Sequence, residues 1–333
     1  MLAYSGRQDF ENSDLTTTTA RPPPIVHRIS IVVPVYRDVD RTIDLVQTLQ
    51  TQRLSAGTTI EIIIVDDGSN DGSADRMEKF VGNQVTLHRL PTNSGRAIAR
   101  NAGAGQADGG LLLFMDSDCL PADTGFIAAH LRRLQQGTVA STGPVVGTGQ
   151  GFWHAFQVDS STRRAALHGR GVPYTGSTAN LMVRRDCFEA VGGFDQAYRA
   201  YGFEDRDLLI QLAALGPIAW ANDAAIEHHD DLNLATVCRK MREAGAGSSR
   251  IFATRHPEAY RALGYAAIDS KLHPARAWLA KAGAPLLPFL IAAVSTVLEW
   301  RWIPFPLRSL AVRALSATSY LLGTTEAEDV QGG

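Results

Sequence analysis

The chain has 333 residues, 45% apolar and 20% charged, enough for a sizeable core in one large α/β domain with an appendage, or in two ordinary domains. Its 32 basic and 34 acidic side chains leave a formal net charge of −2, which excludes the strong basic excess of a nucleic-acid binder. Cys119, Cys187 and Cys238 are odd in number and lack CxxC spacing, so they read as reduced residues of a cytosolic protein, not a disulfide framework or zinc site. Residues 1–27 have no apolar signal-peptide core. They are polar and Thr-rich and contain Arg21-Pro22-Pro23-Pro24, so a disordered tail and stiff linker are expected.

From Ile29 onward strand and helix signals alternate. Residues 29–33 are a β-branched run stopped by Pro34, and Asp40 is placed to cap a helix whose Ile43, Val46 and Leu49 have helical spacing. A second buried-type strand, 60–65, runs into Asp66-Asp67-Gly68-Ser69. A short helix (73–80), a strand (85–90) and an Ala- and Arg-rich helix (95–107) lead to residues 111–115. That last run is wholly apolar and stops at Asp116-Ser117-Asp118. This rhythm predicts a mostly parallel, twisted sheet with helices on both faces, whose ligands bind beyond the carboxyl ends of the strands. Pro34-Val35-Tyr36, Asp66-Asp67 and Asp116-Ser117-Asp118 all fall on that edge.

Two carboxylates ending a buried strand are costly unless paired. A divalent cation carrying a phosphate would pair them; the plainer reading is a polar turn that opens the next helix. Beyond residue 120 the pattern loosens. A helix is expected over 126–136, an extended piece over 138–146 and a mobile Gly-, Arg- and His-rich segment within 147–171. A strand at 180–183, a turn at Gly192-Gly193-Phe194-Asp195 and an acid-led helix over 204–215 follow. Short extended pieces at 218–220 and 224–226 precede Glu227-His228-His229-Asp230 and a basic helix over 232–252.

Several motifs, in order, resemble the family 2 glycosyltransferases, inverting sugar-nucleotide enzymes of the GT-A fold. They are Val32-Val33-Pro34-Val35-Tyr36, Ile64-Val65-Asp66-Asp67-Gly68-Ser69, Asn93-Ser94-Gly95 with Ala99-Arg100-Asn101-Ala102-Gly103, and Phe114-Met115-Asp116-Ser117-Asp118. Gly192-Gly193-Phe194-Asp195 and Gly202-Phe203-Glu204-Asp205-Arg206-Asp207-Leu208 complete the series. The resemblance covers about residues 29–250. It implies a GT-A catalytic domain over 28–250, with a nucleotide-binding half (28–120) and an acceptor half (121–250). A helical appendage over 251–325 and a disordered tail over 326–333 would follow.

The resemblance implies a nucleoside-diphosphate sugar donor, with a UDP-sugar favoured, and Mn²⁺ or Mg²⁺. Asp67 can accept from a pyrimidine N3–H or a ribose hydroxyl, a solvated turn carboxylate being the plainer account; Tyr36 is placed to stack on the base, with packing as its alternative, and Pro34 is a further substrate-binding candidate. Arg96 and Arg100, one helical turn apart, suit diphosphate oxygens or the strand-end carboxylates, with Arg96 the better candidate for a plain surface charge. Their glycine spacing is not a GxGxxG, so nicotinamide binding is not supported. By the same resemblance Asp118 is the metal ligand and Asp116 stands nearer the ribose or a metal-bound water. A further metal ligand is expected from His228 or His229, between which the sequence does not choose. Asp205 matches the general base and Glu204 contacts or orients the acceptor. Adjacent carboxylates raise one another's pKa, which would keep a base effective near neutral pH; acids offsetting a helix dipole are the plainer account. Two departures stand out: 175–180 matches only loosely, and Cys238-Arg239-Lys240-Met241-Arg242 replaces the Gln-x-x-Arg-Trp of processive synthases, favouring one sugar per encounter.

Residues 284–298 carry no charge but fall short of the ~20 residues of a spanning helix. Trp300, Trp302, Arg301 and Arg308 follow, and Lys271, Arg276 and Lys281 precede. With a second apolar helix over 307–322 they read as an interfacial element at 284–322, peripheral on the inner face of the cell membrane; a helical hairpin packed on the domain is the alternative. The function expected is metal-dependent, inverting transfer to a lipid-linked or glycan acceptor. A soluble transferase acting on a small molecule or protein, and a non-catalytic sugar-nucleotide-binding subunit, are the alternatives.

Overall fold

The computed structural model describes residues 27–80, 85–134, 137–230 and 232–327; of the tails expected at 1–27 and 326–333, residues 1–26 and 328–333 lie outside the described residues, and His27 opens a strand instead. The strands are β1 (His27–Val35), β2 (Thr58–Asp66), β3 (Val85–Arg89), β4 (Leu111–Met115), β5 (Cys119–Pro121), β6 (Ala140–Thr142), β7 (Val145–Gly147), β8 (Asn180–Arg184), β9 (Ile218–Trp220) and β10 (Ile226–His228). The main sheet runs β3-β2-β1-β4-β8-β6-β9, and a smaller one runs β5-β10-β7. From β3 to β4 the pairing is parallel, and β8 is antiparallel to both its neighbours. Helices α1 (Val39–Gln50), α2 (Ser73–Phe80), α3 (Arg96–Gln106), α4 (Phe126–Arg133), α5 (Phe152–Gly169), α6 (Arg185–Ala190) and α7 (Glu204–Leu215) complete this part.

The period-2 alternation of β1 splits the core in two. Ile29, Ile31 and Val33 face Leu45, Val46 and Leu49 of α1 and Phe126 of α4. Val32 and Phe114 belong to the opposite cluster, with Ala99 of α3 and Leu208, Leu209 and Leu212 of α7. Contrary to expectation, Pro34 does not stop β1. Val35 still pairs with Asp66 on the β2 side, while β1–β4 pairing ends at Val32–Phe114. The missing N–H of Pro34 therefore falls where no ladder bond is required. Asp40 is not the cap of α1 either; the helix begins at Val39, leaving Asp40 in its first turn.

The segment expected to be mobile is instead an ordered 18-residue helix, α5. Only Phe152 and Ser161 are buried along it, so it lacks the apolar stripe that periodicity detects. Tertiary contacts hold it: Phe152 enters a cluster with Leu234, Leu298 and Val312, and Asp159 pairs with Arg313 at 2.8 Å. The basic helix over 232–252 is two helices, α8 (Leu234–Ala246) and α9 (Ser248–Arg255), broken at Gly247. The extended piece expected at 224–226 lies later, as β10.

The C-terminal helices are α10 (Pro257–Ala262), α11 (Pro274–Gly283), α12 (Leu287–Val297) and α13 (Phe305–Glu326). α13 crosses α8 at two glycines. A Cβ on Gly323 would stand 2.0 Å from the Arg242 carbonyl oxygen, and one on Gly245 2.3 Å from that of Tyr320. Tyr320 is buried with Tyr198, Phe203, Phe252 and Tyr260, and its hydroxyl bonds that of Tyr260 at 2.9 Å. A domain boundary at 250/251 would thus cut α9 and divide one packed cluster. Glu326 closes α13 and accepts from Arg242 Nε at 2.8 Å, so the tail does not begin at 326. Residues Pro274–Val297 form a 24-residue helical run, long and apolar enough to cross a membrane by length and composition, whose most apolar window is 11% buried. It exceeds the uncharged stretch because it starts at Pro274, not 284.

Candidate active site

The carboxyl ends of β1, β2 and β4 open onto two adjoining cavities. One, about 550 Å³, is lined by Pro34, Tyr36, Asp67, Asp118 and Lys240. The other, about 380 Å³, is lined by Trp153, Phe156, Arg164, Asp205 and Arg206. Arg96, Arg100, Asp116, Tyr201 and His228 border both, so the two form one cleft divided by charged side chains.

Asp67 follows β2, buried, and accepts from the backbone N–H groups of Ser94 at 2.7 Å and Gly95 at 2.9 Å. It ties down the loop leading into α3. Gly68 makes the turn possible, with φ +73° and room for no Cβ, since one would stand 2.3 Å from the Thr92 carbonyl carbon. Tyr36 is 40% exposed at the cleft, with the Arg37 guanidinium 4.8 Å from its ring centre.

Arg100 is the charged hub. It is 1% exposed, donates to Asp116 Oδ1 at 2.6 Å and stands 3.7 Å from Glu204 Oε1. Its Nε and Nη1 and Glu204 Oε2 are buried without a hydrogen-bond partner among the described residues. Such atoms are costly in a folded protein unless a ligand satisfies them. Arg96 is no plain surface charge, because its Nε lies 3.6 Å from Glu204 and its guanidinium covers the Tyr201 ring at 4.9 Å.

Of the paired histidines only His228 faces the strand-end acids. Its Nε2 is 3.2 Å from Asp118 Oδ2, and Gln157 Nε2 is 3.1 Å from its Nδ1. His229 follows the strand alternation to the other side: its N–H donates to the Asp118 carbonyl at 2.7 Å while its ring lies 3.6 Å from Glu227. Burial works against charge on both partners, yet the hydrogen bond and mutual attraction prevail, lowering Asp118 to about 2 and raising His228. Asp118, Cys119 and His228 are the described His, Cys and acidic residues grouped closely enough to hold a metal ion. The donors fit Mn²⁺ or Mg²⁺, since two ligands at about 2.1 Å on adjacent octahedral positions stand ~3 Å apart. Burial, then the neighbouring Asp118 charge, keeps the Cys119 thiol protonated, and it donates to Asp118 Oδ1 at 3.4 Å. Cys119 and Gln157 are thus two residues at this pair that sequence reasoning missed.

The first turn of α7 is set by backbone strain. Phe203 adopts φ +72°, unusual for a bulky residue, and stacks on Phe252 with ring centres 4.8 Å apart. That turn aims Glu204 and Asp205 into the cleft, while Asp207 is buried under Tyr198, His256 and Gln211. The expectation that the two acids raise one another holds for one of them. Burial, then the Asp205 charge, pushes Glu204 up to about 7. For Asp205 burial acts upward too, but Arg100, Arg96 and Arg206 outweigh it and hold its carboxyl below the usual range.

A half-sheet of parallel strands, an acid pair ending its central strand and a small second sheet carrying a facing histidine give this chain the GT-A fold. A mannosyltransferase from Pyrobaculum calidifontis, solved with GDP-Man and Mn²⁺, superposes with a TM-score of 0.58 over 90% of this chain and 88% of its own at 17% identity. GalNAc-T7, solved with UDP, GalNAc and Mn²⁺, gives 0.50 over 62% of this chain and 44% of its own at 15% identity. Both likenesses concern the fold. Residues 30–192 match the glycosyl transferase family 2 model, and the segment is a family 2 glycosyltransferase domain. Glycosyltransferase AglE of Haloferax volcanii is 29% identical over 50% of this chain and 55% of its own. An undecaprenyl-phosphate 4-deoxy-4-formamido-L-arabinose transferase of Klebsiella pneumoniae is 33% identical over 54% and 50% respectively. The chain spans about half the length of these curated relatives.

Proposed function

We propose that the protein is a metal-dependent, inverting glycosyltransferase that moves a sugar from a nucleoside-diphosphate donor to an acceptor hydroxyl, on a lipid-linked or glycan acceptor at the cytoplasmic membrane face. One observation carries this reading: the Asp118–His228 pair and Asp205 open onto a single cleft with Arg96 and Arg100 between them. The larger cavity takes the nucleotide, with Asp67 and Tyr36 at the base and ribose and Asp116 nearer the ribose. Asp118 and His228 would hold Mn²⁺ or Mg²⁺, which would supply Lewis-acid neutralisation of the diphosphate. Asp205 accepts the acceptor hydroxyl proton as that oxygen bonds C1. The C1–phosphate oxygen bond breaks on the opposite face, and its electron pair leaves on the diphosphate beside Arg96 and Arg100. The depressed pKa keeps Asp205 ionised and ready to accept. Glu204 orients the acceptor and tethers both arginines.

Membrane association is supported by Trp278, Phe289 and Trp302, each at least 70% exposed, with Arg276, Lys281 and Arg301 exposed beside them. The names of the undecaprenyl-phosphate transferases point the same way. The test is donor hydrolysis and transfer with and without Mn²⁺, for wild type and Asp205→Asn. Losing the base is expected to cost about 10²–10⁴-fold in turnover while donor binding persists. Metal-independent turnover, or an unaffected Asp205→Asn, refutes the mechanism.

A further inference from the structure

The smaller cavity holds more positive charge than its acids pair. Arg164 on α5 and Arg206 on α7 both line it. Arg164 forms no side-chain hydrogen bond or ion pair with any described residue, and Arg206 pairs with no described acid: it donates to the Tyr174 carbonyl at 3.5 Å and stands 5.9 Å from the Tyr265 ring centre. The neighbouring carboxylates are taken elsewhere: Asp116 by Arg100, Glu204 by Arg96 and Arg100, Asp159 by Arg163 and Arg313. Asp205 lines the same cavity but lies within ion-pair distance of neither. Two adjacent guanidiniums without a bridging acid repel one another, a cost that folded proteins accept where an anion is to be bound. Burial, and then the Arg206 charge, lowers the Arg164 pKa, the mark of a cation held short of counter-charge.

The opposite wall is apolar and leads outward. Trp153 and Phe156 line the cavity and also pack in the cluster containing Ile291 and Val294 of α12 and Phe305 of α13. α12 presents Phe289 and Leu290 to solvent, so an apolar surface runs from the exposed helical face to the cavity.

From this juxtaposition we infer that Arg164 and Arg206 bind a phosphate of the acceptor, whose hydrocarbon chain lies along Trp153 and Phe156. The inference rests on the lipid-linked reading of the acceptor and adds the residues that hold it and the charge they select. Arg forks donate bidentately to phosphate oxygens, and the anion would sit in the cavity that Asp205 lines.

The full chain, in detergent with Mn²⁺ and UDP, is titrated with a short-chain prenyl phosphate, the matching prenyl diphosphate, the uncharged prenol, and inorganic phosphate and pyrophosphate. Expected is at least tenfold tighter binding of one or both phosphorylated lipids than of the prenol or the free anions; which one prevails separates a monoester from a diphosphate. Arg164→Gln and Arg206→Gln each abolish that preference, and Arg164→Lys, which keeps the charge, restores part of it at an unchanged unfolding temperature. Equal affinity for prenol and prenyl phosphate, free anions binding as tightly as the lipids, or a preference that survives Arg164→Gln overturns the inference. Stabilisation by UDP and Mn²⁺ is measured in parallel. If it is present while lipid preference is absent, only this inference fails; if both are absent, the transferase reading fails with it.

Discussion

Replacing Glu204 by Gln tests the electrostatic logic of the cleft through stability rather than turnover. The side chain is 2% exposed, with one oxygen 3.6–3.7 Å from two guanidiniums and the other without a hydrogen-bond partner among the described residues. Its pKa is raised from 4.5 to about 7. A carboxyl raised in the folded state gives stability that is fully present below its unfolded value and lost as pH rises through the folded one. Between those values the native protein holds a proton that the unfolded chain has released, so stability falls by about 1.4 kcal/mol per pH unit. From about pH 5 to about pH 6.5 the loss is ~2 kcal/mol. Asp205, with a depressed pKa, acts in the opposite window, below the ordinary Asp value. His228, raised, adds a slope of the same sign only above about pH 6.5. Glu204→Gln is nearly isosteric and cannot ionise, so urea unfolding should lose this slope between the two pH values. A wild-type slope retained in the variant refutes the assignment of that proton to Glu204.

His228→Ala should abolish stabilisation by Mn²⁺ whereas His229→Ala should preserve it, read by thermal unfolding with and without the ion. In wild type, Mn²⁺ must displace the His228 proton, so its affinity should fall about tenfold per pH unit below that pKa, measured by calorimetry. Gly323→Ala forces a methyl against the Arg242 carbonyl and should cost about 1–3 kcal/mol in urea unfolding; an unchanged midpoint contradicts the close crossing. Phe289→Ser with Trp302→Ser should lower flotation with anionic liposomes while leaving unfolding unchanged; full flotation of the pair would defeat the membrane reading.

The first half of the chain was legible because burial on both faces writes uninterrupted β-branched and Leu runs, as at Leu111–Met115, whose bounds the structure reproduces. The strand-end acids were legible because charge after such a run stands out. Helix α5 was not, since only two of its residues are buried and tertiary contacts hold the rest. The choice between His228 and His229 needed the β10 register, which two adjacent identical residues do not disclose. Which acid has the raised pKa depended on Arg96 and Arg100 of α3 standing against the first turn of α7, and no local pattern brings those two helices together. Arg164 escaped notice for the same reason as its helix.

The glycine crossing of α13 over α8 also decides how this protein can be handled. Val237, Lys240 and Met241 of α8 line the larger cavity, so the last helix braces a wall of the cleft from behind. Cutting the chain at about residue 270 to obtain a soluble transferase would remove Tyr320, leave the Tyr260 hydroxyl with Asp269 alone and open the groove at Gly245. A fragment made that way would lose activity through a collapsing cleft, and the loss would be mistaken for a requirement for lipid. The exposed apolar surface around Phe289 and Trp302 has to be blunted residue by residue, because it cannot be amputated.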